Sequence, residues 1–185
     1  MPTKKRDKVA VLIPCYNEES TIQNVVSEYK SILPDSTVYV YDNNSDDDTY
    51  NVAQNAGAIV RKEEYQGKGN VIRRMFSDIE ADVYLVVDGD MTYDSSVAQL
   101  MIDKLRNEHL DMVICTRLEV SDKAYRLGHK MGNYFFSSAV GVIFGKKISD
   151  VLTGYKVLSR RFVKTFPAHG HGFDIEHEFT VHSLE

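Results

Sequence analysis

The stretch Asp82-Val83-Tyr84-Leu85-Val86-Val87-Asp88-Gly89-Asp90 decides how the rest of the chain is read. Five bulky, mostly β-branched or aromatic residues stand between two aspartates, which predicts a fully buried parallel strand. Asp88 and Asp90 then fall where that strand leaves the sheet. In open α/β sheets that carboxyl end is where ligands bind. Two carboxylates one residue apart repel each other unless a cation sits between them. Their hard oxygens suit Mg²⁺ or Mn²⁺, ions usually shared with substrate phosphates. The same tripeptide also reads as a plain turn, because Asp-Gly favours turns. The surrounding sequence favours the functional reading.

Upstream, Val9-Ala10-Val11-Leu12-Ile13 predicts a buried strand ended by Pro14. Cys15-Tyr16-Asn17-Glu18-Glu19 leads into a helix with Ile22, Val25, Val26, Tyr29 and Ile32 at helical spacing, with Asn17 as a candidate cap. Thr37 to Tyr41 is a second strand, followed by Asp42-Asn43-Asn44-Ser45-Asp46-Asp47-Asp48-Thr49. Ser45 or Asp46 can cap the next helix, which Gly57 stops. Ala58 to Val60 is a third strand, and Gln66-Gly67-Lys68-Gly69-Asn70 opens a third helix. Downstream of Asp90, a helix from about Ser96 to His109 precedes the strand Met112 to Cys115. A further strand lies within Asp150 to Leu158, a short helix ends before Pro167, and Phe173 to Glu185 is helical. Alternation of this kind predicts an α/β fold with a mostly parallel central sheet and helices on both faces.

With 185 residues, 43% of them hydrophobic, the chain suits one domain over residues 9–185 behind a basic tail at 1–8. It stops within a helical segment, so a domain cut short at its C-terminus is expected. The net charge of −5 argues against broad nucleic-acid binding. Cys15 and Cys115 lack any Cys-x-x-Cys spacing and read as core or site-wall thiols of a reducing compartment. No run is long and apolar enough for a secretory leader or a membrane span. The expected location is cytoplasmic, at the inner face of the membrane at most. Met131 to Gly145 carries no charge and reads either as a buried helix or as a segment near a membrane.

Pro14-Cys15-Tyr16-Asn17-Glu18, Asp42 to Thr49 and Asp88-Gly89-Asp90, each after a strand, together resemble the family 2 inverting glycosyltransferases, which have the Rossmann-like GT-A fold of nucleotide-diphospho-sugar transferases. Gly67-Lys68-Gly69-Asn70 and Asp150 to Lys156 resemble the branch containing dolichyl-phosphate mannose synthases and bacterial polyprenyl-phosphate glycosyltransferases. The resemblance implies a donor site in which Pro14, Tyr16, Asn17 and Glu18 line the nucleoside pocket and Asp42 accepts from the base beside Asn44. It places Lys68 and Gly89 next to the donor, Asp88 at the ribose or the metal, and Asp90 as the main ligand of Mg²⁺ or Mn²⁺. Arg117 and Arg126 would bind the donor diphosphate or an acceptor phosphate, although each also reads as a solvated surface cation. The sequence departs from the branch at Asn43-Asn44, Thr92 and Lys156, where Asp-Gly, Gln and Arg are common.

The chemistry implied is sugar transfer from a UDP- or GDP-sugar, leaning to uridine, onto a polyprenyl phosphate or a saccharide. A hydroxyl acceptor needs a carboxylate base, and Asp150 and Glu176 are the candidates. A lipid phosphate needs none. Three other readings compete. Asp88 and Asp90 also fit the Asp-x-Asp-x-Thr motif of haloacid-dehalogenase-like phosphatases, with Asp88 as nucleophile. A sugar-phosphate nucleotidyltransferase would share the layers, but needs a glycine-rich loop after the first strand. A nucleotide-sugar-binding protein without turnover would keep the pocket and lack the reaction. His169, His171, His177 and His182 read as loop and helix-surface residues, because His177 and His182 lack the spacing of a zinc-protease helix.

Overall fold

The computed structural model describes residues 7–115 and 153–184. Arg117, Arg126, Asp150 and the Met131–Gly145 segment lie outside the described residues. Strands β1 (Val9–Cys15), β2 (Thr37–Asp42), β3 (Ile59–Lys62), β4 (Val83–Val86), β5 (Met112–Ile114) and β6 (Lys156–Ser159) form a sheet in the order β3-β2-β1-β4-β6-β5. β1 pairs in parallel with β2 and β4, and β2 with β3. β6 runs antiparallel to both β4 and β5. The sheet is therefore mostly parallel, as the alternating pattern predicted. The described helices are α1 (Ile22–Ile32), α2 (Thr49–Asn55), α3 (Lys68–Asp78), α4 (Ala98–Asn107, entered through a 3-10 turn at Ser95–Val97), α5 (Arg160–Thr165) and α6 (Ile175–Leu184).

Strand parity splits the core into two layers. Side chains alternate across a strand. On β4, Val83 and Leu85 face the layer of α1 and α4, with Val11, Ile13, Val26 and Ile102. Tyr84 and Val86 face the layer of α3, α5 and α6, with Leu12, Ile72, Phe162 and Phe179. In that second layer Phe166 stacks on Phe179 with ring centroids 4.6 Å apart. This stacking anchors α6 against α5 and gives the C-terminal helix a defined position.

Two expected caps are replaced. Asn17 does not cap α1: Thr21 takes that position, and Asn17 sits in a left-handed turn with φ 57°. Neither Ser45 nor Asp46 caps α2. Asp48 holds the cap position, while Asp47 Oδ1 accepts from the Thr49 N–H at 3.0 Å. In both places a loop-to-loop hydrogen bond competed successfully for the expected capping side chain. Gly57 ends α2 as predicted, at φ 88°. The strand expected within Asp150 to Leu158 is seen from Lys156, with Thr153–Tyr155 leading into it as non-strand backbone.

Candidate active site

The chain runs outward from β1 to β2 and β3, then returns to the other side of β1 as β4. That reversal lies between β1 and β4, and outside such a switch point a crevice forms at the carboxyl ends of the strands. The loops after β1, β2 and β4 all meet there. Three non-glycine residues with left-handed backbone, Asn17, Asn44 and Met91, stand just beyond these three strands. Left-handed backbone costs an L-residue about 1–2 kcal/mol, so the surrounding contacts must hold these turns in place.

The loops after β1 and β2 are sewn together by hydrogen bonds. The Asn17 N–H donates to Ser45 Oγ at 2.9 Å, and the Asp46 N–H donates back to Asn17 Oδ1 at 2.8 Å. Thr49 Oγ1 accepts from the Glu18 N–H, and Asp47 Oδ2 accepts from the Glu19 N–H. Asp42 is buried, and its Oδ1 accepts from the Ser45 N–H at 3.2 Å. Asn43 is also buried. Its amide donates to the carbonyls of Glu63 and Tyr65 and accepts from the Gly67 N–H, which fixes the approach to α3. Asn44 donates to the Glu64 carbonyl at 2.6 Å. The Asn43-Asn44 departure thus has a structural use that sequence reading missed.

Tyr16 is 48% exposed beside this seam, and Glu18 is half-buried. Burial pushes the Glu18 carboxyl up; the charges of Asp90 and Asp88 push the same way, against the Thr21 hydroxyl that donates to it. Cys15 is a buried wall residue whose thiol is pushed well up by burial and then by Glu18, Asp42 and Asp88. A Cβ on Gly89 would lie 3.0 Å from Cys15 Sγ and 3.4 Å from Glu18 Cγ, so the β4 turn lies tightly against the β1 loop.

In the turn beyond β4, Thr92 donates to Asp90 Oδ1 through both its N–H, at 3.1 Å, and its hydroxyl, at 2.6 Å. The threonine standing at the usual glutamine position therefore orients the aspartate. Lys68, the first residue of α3, places Nζ 2.6 Å from Asp88 Oδ1 and 2.6 Å from Glu176 Oε1. Burial works against the Lys68 ammonium, yet Glu176 and Asp88 together hold it above its ordinary range. Glu176 lies in the first turn of α6 and is 3% exposed. Its other oxygen pairs with Lys156 Nζ, which also donates to the Thr153 carbonyl. Burial pushes the Lys156 ammonium down, and the Glu176 charge opposes that shift. A Cβ on Gly154 would collide with the Asp88 carboxylate. The Gly154 N–H donates to the Tyr93 hydroxyl at 2.7 Å.

The structure thus brings Pro14, Tyr16, Asn17, Glu18, Asp42, Asn44, Lys68, Asp88, Gly89 and Asp90 to the carboxyl end of adjacent strands and their loops. Tyr93, Gly154 and the pairing of Lys156 were not foreseen. Parity on β6 could have found Lys156, because Lys156 and Leu158 share the face that carries Lys68 and α6. Of the histidines, His171 Nδ1 lies 3.0 Å from Asn70 Oδ1, and His182 packs edge-on against Phe162. Among the described residues no group of three or more His, Cys, Asp and Glu side chains is placed to hold a metal ion alone.

Residues 10–166 match the family model described as Glycosyl transferase family 2. The chain belongs to glycosyl transferase family 2. It is 52% identical over 123 residues to Protein RfbJ of Shigella flexneri, covering 66% of this chain and 95% of that protein. It is 36% identical over 183 residues to Glycosyltransferase AglJ of Haloferax volcanii, covering 98% of this chain and 59% of the relative. Dolichol-phosphate mannosyltransferase of Pyrococcus furiosus is 26% identical, over 94% of this chain and 52% of its own. The chain therefore spans little more than half of these last two relatives. Among solved structures, glucosyl-3-phosphoglycerate synthase from Mycobacterium tuberculosis, crystallised with Mn²⁺, UDP-glucose and phosphoglyceric acid, superposes with a TM-score of 0.78 at 20% identity, covering 95% of this chain and 64% of that one. The GT-A fold follows from that likeness. Family 2 membership makes this an enzyme domain of the glycosyltransferase class and sets aside the phosphatase reading of Asp88 and Asp90.

Proposed function

We propose that this domain transfers a hexose, with inversion, from a UDP- or GDP-sugar to an acceptor at the carboxyl end of β1 and β4. The observation that carries this is the placement of Asp88 and Asp90 at the switch point, between the sewn loops after β1 and β2 and the Lys68 ammonium. Asp90, oriented by Thr92, and Asp88 offer oxygen ligands only and would hold Mg²⁺ or Mn²⁺. Such an ion supplies charge stabilisation for the departing diphosphate. Pro14, Tyr16, Asn17 and Glu18 are assigned to the nucleoside side, with Asp42 accepting from the base beside Asn44 and Gly89 next to the donor. Arg117 and Arg126 are assigned to the diphosphate or the acceptor phosphate.

An acceptor oxygen attacks the anomeric carbon as its bond to the diphosphate oxygen breaks, and the diphosphate leaves with the electron pair. Both oxygens of Glu176 are already engaged, Oε1 by Lys68 and Oε2 by Lys156, so it is assigned to that pairing and not to the acceptor. Asp150 is left as the assigned base where the acceptor is a hydroxyl. A polyprenyl phosphate is already an oxyanion and needs no base. The relatives named dolichol-phosphate mannosyltransferase and dolichyl-phosphate hexose transferase support that acceptor class over a cell-envelope saccharide. Among the described residues no helix is long and apolar enough to cross a membrane. For a lipid acceptor the assigned contact is the Met131–Gly145 segment, at the inner membrane face.

Thermal melting with UDP and GDP, each with Mn²⁺, Mg²⁺ or EDTA, tests the donor site. A ligand at about 100 times its dissociation constant stabilises by roughly 2.7 kcal/mol. A metal-dependent shift with one nucleotide, lost in Asp90→Asn, is the expected result and identifies the base. No shift at millimolar ligand would overturn the reading. Release of nucleoside diphosphate when polyprenyl phosphate is added separates a transferase from a binding protein without turnover.

A further inference from the structure

Asp88, Lys68, Glu176 and Lys156 form a line of alternating charge running inward from the carboxyl end of the sheet. Lys68 Nζ stands 2.6 Å from a carboxylate oxygen on each side, Asp88 Oδ1 and Glu176 Oε1. Lys156 closes the line from beneath through Glu176 Oε2. Its side chain is 1% exposed, and that of Glu176 is 4% exposed. Four separate parts of the fold supply these groups: Asp88 follows β4, Lys68 begins α3, Glu176 lies in the first turn of α6, and Lys156 begins β6. Lys156 pairs across the sheet with Val86, two residues before Asp88.

Stability alone is a weak account of the inner pair. Burying two charges costs several kcal/mol in desolvation, and an apolar pair of similar volume is often as stable or more so. The surroundings would accept such a pair, because Lys156 Nζ lies 5.2 Å from the centre of the Phe179 ring within an otherwise apolar layer. The inner pair does, however, touch Asp88 by two routes. Through Glu176 it fixes the ammonium of Lys68. Through the Thr153 carbonyl it fixes the backbone before Gly154, whose α-carbon leaves no room for a methyl group against the Asp88 carboxylate.

Resting on the donor-site reading above, we propose that Lys156 and Glu176 are positioning residues, which hold Lys68 and Asp88 in register before the donor binds. The C-terminal helix α6 thereby completes a site whose other parts come from the first half of the chain. Neither residue is assigned a contact with the reacting atoms.

Calorimetric titration with UDP and GDP in Mn²⁺, beside melting of the same samples, tests the assignment. In Lys156→Met, Glu176 loses its inner partner, and both Tm and nucleotide affinity fall. In the double variant Lys156→Met with Glu176→Leu, an apolar pair replaces the ionic one. Its Tm returns to the wild-type value or above, while its dissociation constant stays raised by about 10-fold or more, the usual effect of losing a group that orients a ligand. A purely structural pair would recover binding together with Tm. A stable double variant that binds as tightly as wild type therefore overturns the positioning role and leaves the donor site standing. Wild-type protein that binds neither nucleotide overturns the donor-site reading and this role with it. Should the double variant not fold, Glu176→Gln is read in the same way, with weaker binding expected and unchanged binding overturning the proposal.

Discussion

The carboxyl end of the sheet is rich in acids throughout, but its two halves use them differently. Beyond β1 and β2, carboxylates and amides fold onto backbone N–H groups: Asp47 accepts from Glu19 and Thr49, Asp42 from Ser45, and Asn17 from Asp46. Beyond β4 and β6, the carboxylates of Asp88 and Glu176 meet ammonium groups. The first half is a wall whose carboxylates keep their formal charge and are held by neutral backbone N–H groups. The second half sets carboxylates against ammonium groups in a mostly buried place, where the charges cancel in sum and each acts strongly on its neighbours. Acidic density alone therefore does not mark a metal site: Asp90 accepts from the Thr92 N–H and hydroxyl just as Asp47 does from those of Thr49, and what sets Asp90 apart is its place beyond β4 beside Asp88.

The largest expected effect falls on the second half. Gly154→Ala introduces one methyl group against the Asp88 carboxylate, and the backbone of Thr153 and Tyr155 cannot yield freely. Lys156 and Cys115 hold it through Thr153, and Tyr93 holds the Gly154 N–H. Displacing a ligating group by about 1 Å can lower a reaction rate about 100-fold. Sugar transfer should fall by about that factor, with a loss of stability of about 1–3 kcal/mol from overpacking. Transfer kinetics and denaturant titration of the same sample read both. Unchanged transfer would mean that Asp88 need not stay where this structure holds it.

A smaller effect is expected on the first half, and on stability rather than on chemistry. Asp47→Ala removes the acceptor of the Glu19 and Thr49 N–H groups, a loss comparable to that of a helix cap, about 1 kcal/mol. Asp46 is exposed and engages the seam through its N–H, so Asp46→Ala should stay within about 0.5 kcal/mol of wild type. Equal destabilisation by the two changes would erase the distinction between a wired and a solvated acid in this loop.

The wall was far more legible in the sequence than the charge line. Apolar runs of four to five residues ending in Pro14, Asp42 and Asp88 read directly as strands, because burial on both faces leaves a continuous signal. The loops that follow those strands could be placed at the crevice by position. Lys156, Gly154 and Tyr93 were missed as partners because their contacts join segments far apart in the chain: Tyr93 meets Gly154 across 61 positions. Loop wiring was misread for a related reason. Asn17 looks like a cap when only its own helix is considered, but the neighbouring loop offers its side chain a hydrogen-bond donor, the Asp46 N–H.

The pH dependence of folding sharpens the comparison last. Against the desolvation they suffer, hydrogen bonds from Thr49 and Glu19 hold the Asp47 carboxyl below its ordinary range, and those from Arg74, Arg61 and Tyr41 do the same for Asp78. Arg161, with Ser159, lowers Asp111. A group lowered on folding contributes stability that is present above its unfolded value, about 3.9 for aspartate, and lost as pH falls through the folded value. Glu18 acts in the opposite sense: burial raises it, so acidification relieves its cost. Lys68 is raised, and its contribution is lost only at strongly alkaline pH. The stability gap between wild type and Asp47→Ala should therefore begin to close only as pH falls below about 3.9, and close fully only below the lowered folded value of Asp47. At 1 M salt and pH 7 that gap should persist, since short hydrogen bonds to backbone are little screened. The gaps for Asp78→Asn and Asp111→Asn should shrink, because their arginine partners are largely exposed. Urea melts at two salt concentrations measure all three. An Asp47 gap that vanishes in salt would show that this seam is held by long-range charge, like the surface pairs, and not by hydrogen bonds.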